Sequence, residues 1–165
     1  MSSSGPLPRR STLLSTVATP ALVIVVSGGL VWLIYGQVMS FPFLFDDLIH
    51  SRWVQGRGLW DLWTDVRGMQ HYRPLVFSIW LLSSRVFPFD PWPLHLISLL
   101  LHGANACLVG LLAYRVQSRS SAMARSLGAI AAAALFASYP FSYQVLPSPG
   151  SQSKPMSALL ILLSC

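Results

Sequence analysis

Apolar and polar residues fall in long blocks along this chain, not in the short periods of a water-facing helix or strand. The first apolar block runs from Pro20 to Met39, and two more follow at Leu94–Val116 and Ser126–Tyr143. Each is close to the ~20 residues that a helix needs to cross a bilayer. A fourth block, Met156–Cys165, covers about half that length. Between the first two lies a mixed stretch, 40–93, whose only sustained apolar segment is Leu75–Phe87, interrupted by Arg85. At ~1.5 Å per residue this segment reaches roughly 20 Å, short of a ~30 Å hydrocarbon core. It reads as a helix lying along the membrane surface. The pattern predicts an all-α, polytopic transmembrane helix bundle with a large outer loop that contains juxtamembrane helices.

The order of segments is then an N-terminal tail, 1–19; a first span, 20–39; an outer loop, 40–93; a second span, 94–116; a basic loop, 117–125; and a third span, 126–143. A second outer loop, 144–155, and the beginning of a fourth span, 156–165, complete it. Charge fixes the expected orientation. Arg9 and Arg10 precede the first span, and Arg115, Arg119 and Arg125 follow the second without an acidic residue among them. Positive residues favour the cytoplasmic side. With Leu75–Phe87 flat, both basic groups are cytoplasmic; with it spanning, the Arg115–Arg125 loop would face outward against the bias. The outer loop carries arginines of its own (Arg52, Arg57, Arg67, Arg73 and Arg85), which oppose this bias.

Composition sharpens the picture. Of 165 residues, 53% are hydrophobic and only 10% charged, against roughly a quarter charged in a soluble domain. The net charge of +6 comes from arginines scattered between apolar runs. They read as topology signals facing membrane lipid, and no nucleic-acid partner is expected. Cys107 and Cys165 form no disulfide or metal framework. No residue set makes a complete metal site, so no cofactor is expected.

Three constellations could carry chemistry. Asp46 and Asp47 stand a few residues beyond the first span, where paired carboxylates are costly near lipid. A general base, a phosphate- or divalent-metal-handling site and a helix N-cap ahead of Leu48–Gln55 are all open. His71, Tyr72 and Arg73 come second: a guanidinium can clamp a phosphate and an imidazole can move a proton near neutral pH. The alternative is an interfacial anchor. Third, His95, Ser98, His102 and Asn105 share one face of the second span, suited either to a wet cavity or to hydrogen bonds between helices. Asp61 and Asp65 read as a solvated edge.

The order of these pieces resembles the start of the GT-C superfamily of lipid-linked-sugar glycosyltransferases. One helix is followed by Phe45-Asp46-Asp47, a Trp-rich loop and Tyr72-Arg73-Pro74-Leu75. Then come Pro93-Leu94-His95-Leu96, Leu99-Leu100-Leu101-His102 and Asn105-Ala106, and finally Ala134-Leu135-Phe136-Ala137 with Pro140 close behind. The chain is most similar to the transmembrane O-mannosyltransferases that carry tetratricopeptide repeats and to their bacterial relatives, over residues 20–164. The resemblance implies transfer of a sugar, with inversion, from a polyprenyl-phosphate carrier to an acceptor hydroxyl on a protein or glycan, at the outer face of a bacterial inner membrane. It implies a catalytic base at Asp46 or Asp47. It further implies a donor-phosphate site at Arg73, with His71, Tyr72, His95 and His102 as further substrate-binding positions. The second outer loop departs from those relatives: Gln144 stands where they carry glutamate, and Gln152 and Lys154 where they carry an arginine and then an acidic residue. The run that stops at Cys165 leads to the expectation of a shortened chain, inactive alone. Two other classes fit the same blocks: a non-catalytic membrane assembly subunit or decayed gene product, and a transporter fragment whose His95–Asn105 stripe lines a path.

Overall fold

The computed structural model describes residues 10–65, 67 and 71–165, with the side chains of 10–17 and 45 left aside. The predicted N-terminal tail, with Arg9, lies outside the described residues. Among the described residues the chain is helical throughout, with no strand. Helix α1 spans Arg10–Tyr35 and closes in a 3₁₀ turn, Gly36–Ser40. The segment between the first two long helices folds into α2 (Phe45–Val54), the one-turn α3 (Asp61–Thr64) and α4 (Pro74–Val86). Helices α5 (Trp92–Val116) and α6 (Ala122–Ala137) follow. The turns Pro140–Gln144 and Pro149–Ser151 then lead to α7 (Ser153–Leu163).

Three stretches are long and apolar enough to cross a membrane: Ala18–Ser40, Trp92–Val116 and Ala122–Gln144. This is the architecture of a membrane protein, and its outward residues suit it: Val25, Leu33, Leu100 and Leu135 are all exposed. Burying them in lipid is favourable, whereas leaving each in water would cost roughly 1.5–3 kcal/mol. Helix α1 begins ten residues before the apolar block at Pro20, because nothing between Arg10 and Thr19 breaks a helix. Helix α6 starts at Ala122, where the Ser121 hydroxyl accepts the Ala124 N–H at 3.3 Å. It stops two residues before Pro140, whose ring and missing N–H bar continuation.

Helices α1, α5 and α6 form the bundle. One half closes around Val23, Ala129 and Ala133, and the half nearer α2 and α4 around Val31, Tyr35, Leu99, Ala106 and Ala137. Gly110 sits where all three helices meet. A Cβ there would lie 2.8 Å from Val23 Cγ1 and 2.9 Å from both Ala129 O and Ala133 Cβ. Only glycine permits this approach, the small-residue packing expected of membrane helices.

A second core caps one end of the bundle. Val76, Phe77, Trp80 and Leu81 form one face of α4 and meet Val54 of α2, Leu62 of α3 and Leu94 of α5. The Trp53 and Phe77 rings lie 4.9 Å apart, and Trp63 Nε1 donates to Ser78 Oγ at 3.2 Å. At 13 residues α4 extends about 20 Å and spends its buried face on this cap. The loop between α2 and α4 is pinned by charge. Asp65 pairs with Arg57 at 3.2 Å and with Arg67 at 2.9 Å. Hydrogen bonds from Arg67 foremost hold its carboxyl well below the usual carboxylate range. Arg57 also lies over the Trp53 ring at 4.2 Å, and Asp61 accepts the Gly58 N–H at 2.7 Å.

Candidate functional site

Asp46 and Asp47 enter the structure in different roles, because α2 starts at Phe45, two residues earlier than a cap at Asp46 would require and three earlier than one at Asp47. They occupy the second and third positions of the helix, where a negative charge meets the positive end of the helix dipole. Asp47 is fully buried. Its Oδ2 accepts the Leu44 N–H at 3.1 Å, satisfying one of the free donors at the helix start. Leucine has no side-chain acceptor to reciprocate, so this is half of a capping box. Its Oδ1 accepts the Gly150 N–H at 2.8 Å and the Ser148 hydroxyl at 3.1 Å. Asp46 is exposed and makes no hydrogen bond to any described residue.

Arg73 reaches the same turn from the other side. Its Nη1 donates to Gly150 O at 2.9 Å. The Gly150 peptide unit is therefore gripped by a carboxylate at its N–H and a guanidinium at its C=O. Such charge-assisted bonds are about twice as strong as neutral ones. A side chain at residue 150 would not fit, since a Cβ would lie 2.8 Å from His50 Nδ1 and 3.0 Å from Asp47 Oδ1.

This clamp forms one wall of a cavity of about 410 Å³ lined by Asp46, His50, His71, Arg73, Ser148 and Lys154, among others. Its charged groups are one free carboxylate and two permanent cations. His50 is half-buried, edge-on to Phe77 at 5.5 Å and to Trp80 at 5.6 Å. Its Nδ1 is buried without a hydrogen-bond partner. Burial foremost pushes the His50 imidazole below its usual value, helped by Arg73 and His71 and opposed by Asp47 and Asp46. The cavity could hold a phosphate-sized anion beside a carboxylate able to take a proton.

Of the residues singled out from sequence, Asp46, His71 and Arg73 meet in this cavity, and Asp47 stands directly behind its wall. Tyr72 does not line it: its hydroxyl donates to Trp63 O at 2.9 Å within the cap. The stripe on α5 is buried as its spacing predicts, and each member is bonded to a backbone carbonyl. His95 Nε2 donates to Phe41 O at 3.1 Å and His102 Nε2 to Ala137 O at 3.1 Å. A carbonyl only accepts, so both Nε2 atoms carry the proton. Ser98 donates to Leu94 O at 3.1 Å and Asn105 Nδ2 to Pro155 O at 2.9 Å. Gln152 joins them, its Nε2 donating to Leu94 O at 2.7 Å and to Ser98 Oγ at 3.1 Å. These groups tie α5 to the segment at Phe41, to the turn before α7 and to α7 itself, leaving His95 and His102 outside the cavity. His102 and Asn105 instead border a second, mainly apolar hollow of about 240 Å³, with Phe136, Leu146 and Ala158.

Sequence reasoning did not find His50, Ser148 or Gly150. His50 carried a legible signal: it lies four residues after Asp46 and shares its helical face. Lys154 was legible as the single charge of the second outer loop. Ser148 and Gly150 gave none, because their roles depend on contacts made across 101 and 103 residues. Among the described residues no group of three or more His, Cys, Asp or Glu could hold a metal ion. No family model, no curated protein and no solved structure matches this chain.

Proposed function

We propose that this chain is a glycosyltransferase of the GT-C type that draws sugar from a polyprenyl-phosphate carrier and passes it to an acceptor hydroxyl at the outer membrane face. The observation that carries the reading is the cavity itself: Asp46, without a hydrogen bond to any described residue, lines it together with Arg73 and Lys154 at one end of an apolar bundle. That charge pattern fits an amphiphile whose anionic head sits at the interface while its tail stays in lipid. In the reaction the acceptor oxygen attacks the sugar's anomeric carbon and the bond to the phosphate oxygen breaks, its electron pair staying on phosphate. Asp46 takes the acceptor's proton, and Arg73 and Lys154 stabilise the charge gathering on the phosphate. Asp47, consumed by its three hydrogen bonds, is the brace that sets Asp46 and the Gly150 turn in register.

The stripe on α5 gives no support to a transport path, since its members are bonded to backbone. The test uses the whole chain in phosphatidylcholine nanodiscs. Native mass spectrometry is to count bound undecaprenyl phosphate against undecaprenol, and release of sugar from polyprenyl-phosphate mannose is to be followed separately. The phosphate should bind selectively, Arg73→Ala and Lys154→Ala should each weaken it about tenfold, and Asp46→Asn should bind but not release sugar. Equal binding of the alcohol and the phosphate would refute the proposal.

A further inference from the structure

We propose that His50 takes up a proton when a phosphate monoester dianion occupies the cavity, and so acts as the charge reserve of the site. This rests on the phosphate-binding reading above and assigns a role to a residue that the reading does not need.

The geometry leads there in three steps. First, His50 lies one helical turn after Asp46, and both line the cavity. A proton accepted by Asp46 has an imidazole acceptor on the same face. Second, the His50 Nδ1 is buried and lacks a partner, an unusual cost for a polar group. The Phe77 and Trp80 rings pack edge-on against the imidazole and Nδ1 lies on the Gly150 side, while the ring still lines the cavity. Third, the charge of the cavity changes during the chemistry. The donor is a phosphodiester with one negative charge, and the product left behind is a monoester with close to two. With Asp46 charged against Arg73 and Lys154, the lining carries one net positive charge, enough for the diester only. The product lacks one counter-charge, which His50 supplies on protonation.

The proton balance closes without another reactant. The acceptor's proton moves to Asp46 as the anomeric bond to phosphate breaks. Asp46 then passes it to His50, regaining its own charge, and the imidazolium faces the monoester dianion. Departure of the product returns the proton to water. The groups that face His50 are Asp46 and Asp47 on its own helix, His71 and Arg73 ahead of α4, and Lys154 on α7. Burial foremost, with Arg73 and His71, pushes the imidazole below its usual value against the pull of Asp47 and Asp46, and an arriving dianion adds to that pull.

The experiment is isothermal titration calorimetry of the whole chain in phosphatidylcholine nanodiscs at about pH 7.5, where His is ordinarily neutral. Two buffers of different ionisation heat report the protons taken up. Geranyl phosphate is the monoester probe and geranyl methyl phosphate the diester. The expected result is uptake of about one proton with the monoester and close to none with the diester. His50→Asn should lose the uptake while still binding the diester, which shows that it is folded. Monoester binding without uptake, or uptake that survives in His50→Asn but vanishes in His71→Asn, overturns the role given to His50 alone. If neither probe binds, the phosphate-binding reading falls, and this inference with it.

Discussion

Asp47→Asn changes one atom and separates the brace from the reacting group. The carboxamide has one acceptor oxygen where the carboxylate has two. With that oxygen toward Gly150 and Ser148, its NH₂ opposes the Leu44 N–H, donor against donor. Flipped, it keeps the helix start and loses the Gly150 bond of 2.8 Å. Either way a buried donor goes unpaired, at about 1–3 kcal/mol. Loss of the negative charge in the first turn of α2 adds roughly 0.3–1 kcal/mol. For a chain of this size each kcal/mol moves the melting midpoint by about 2–4 °C, so a drop of roughly 3–15 °C is expected. Asp46→Asn removes only the dipole contribution at an exposed position, so its midpoint should fall by less than about 4 °C. Intrinsic tryptophan fluorescence during heating of the nanodisc-embedded protein reads both, since Trp53 and Trp80 lie in the cap that α2 supports. Equal midpoints for the two variants would refute the assignment of brace and free carboxylate.

Two further outcomes follow from the same structure. Because His50 is pushed below its ordinary value of 6.5, the unfolded chain takes up its proton first as pH falls. The folded state should therefore lose stability from about pH 7 downward through that value, and keep its full contribution above it. Melting midpoints measured from pH 5 to 8 should slope less in His50→Asn than in the parent, and identical slopes would count against it. The flat placement of α4 is tested with single cysteines at Val86 and Ser120, both exposed, in a background lacking Cys107 and Cys165. On intact cells an impermeant thiol reagent should label Val86→Cys and spare Ser120→Cys; the reverse pattern would make α4 a span.

The three long helices were legible because each apolar block matches the thickness of a bilayer, a constraint that acts locally. The start of α2 was not: Phe45 looks like the tail of an apolar run until Asp47 is seen to cap the Leu44 N–H. The stripe from His95 to Asn105 could be placed on one face, but its bonds to Phe41, Ala137 and Pro155 are set by where other segments arrive. The cavity was half legible. Asp46, His71 and Arg73 could be named from their chemistry, whereas the opposite wall is a proline- and serine-rich loop whose value lies in backbone N–H and C=O groups.

The grip on Gly150 also has a consequence for how the chain is made. Its two halves are separated by 103 positions. At synthesis rates of ~5–20 residues per second, Asp47 emerges roughly 5–20 s before the turn that satisfies it. During that interval α5 and α6 must enter the bilayer, while the capped segment waits at the surface with a carboxylate still in water. The cavity therefore forms only after α5 and α6 have been made, and a ribosome that stalls before residue 150 leaves a protein with those helices inserted and its site open.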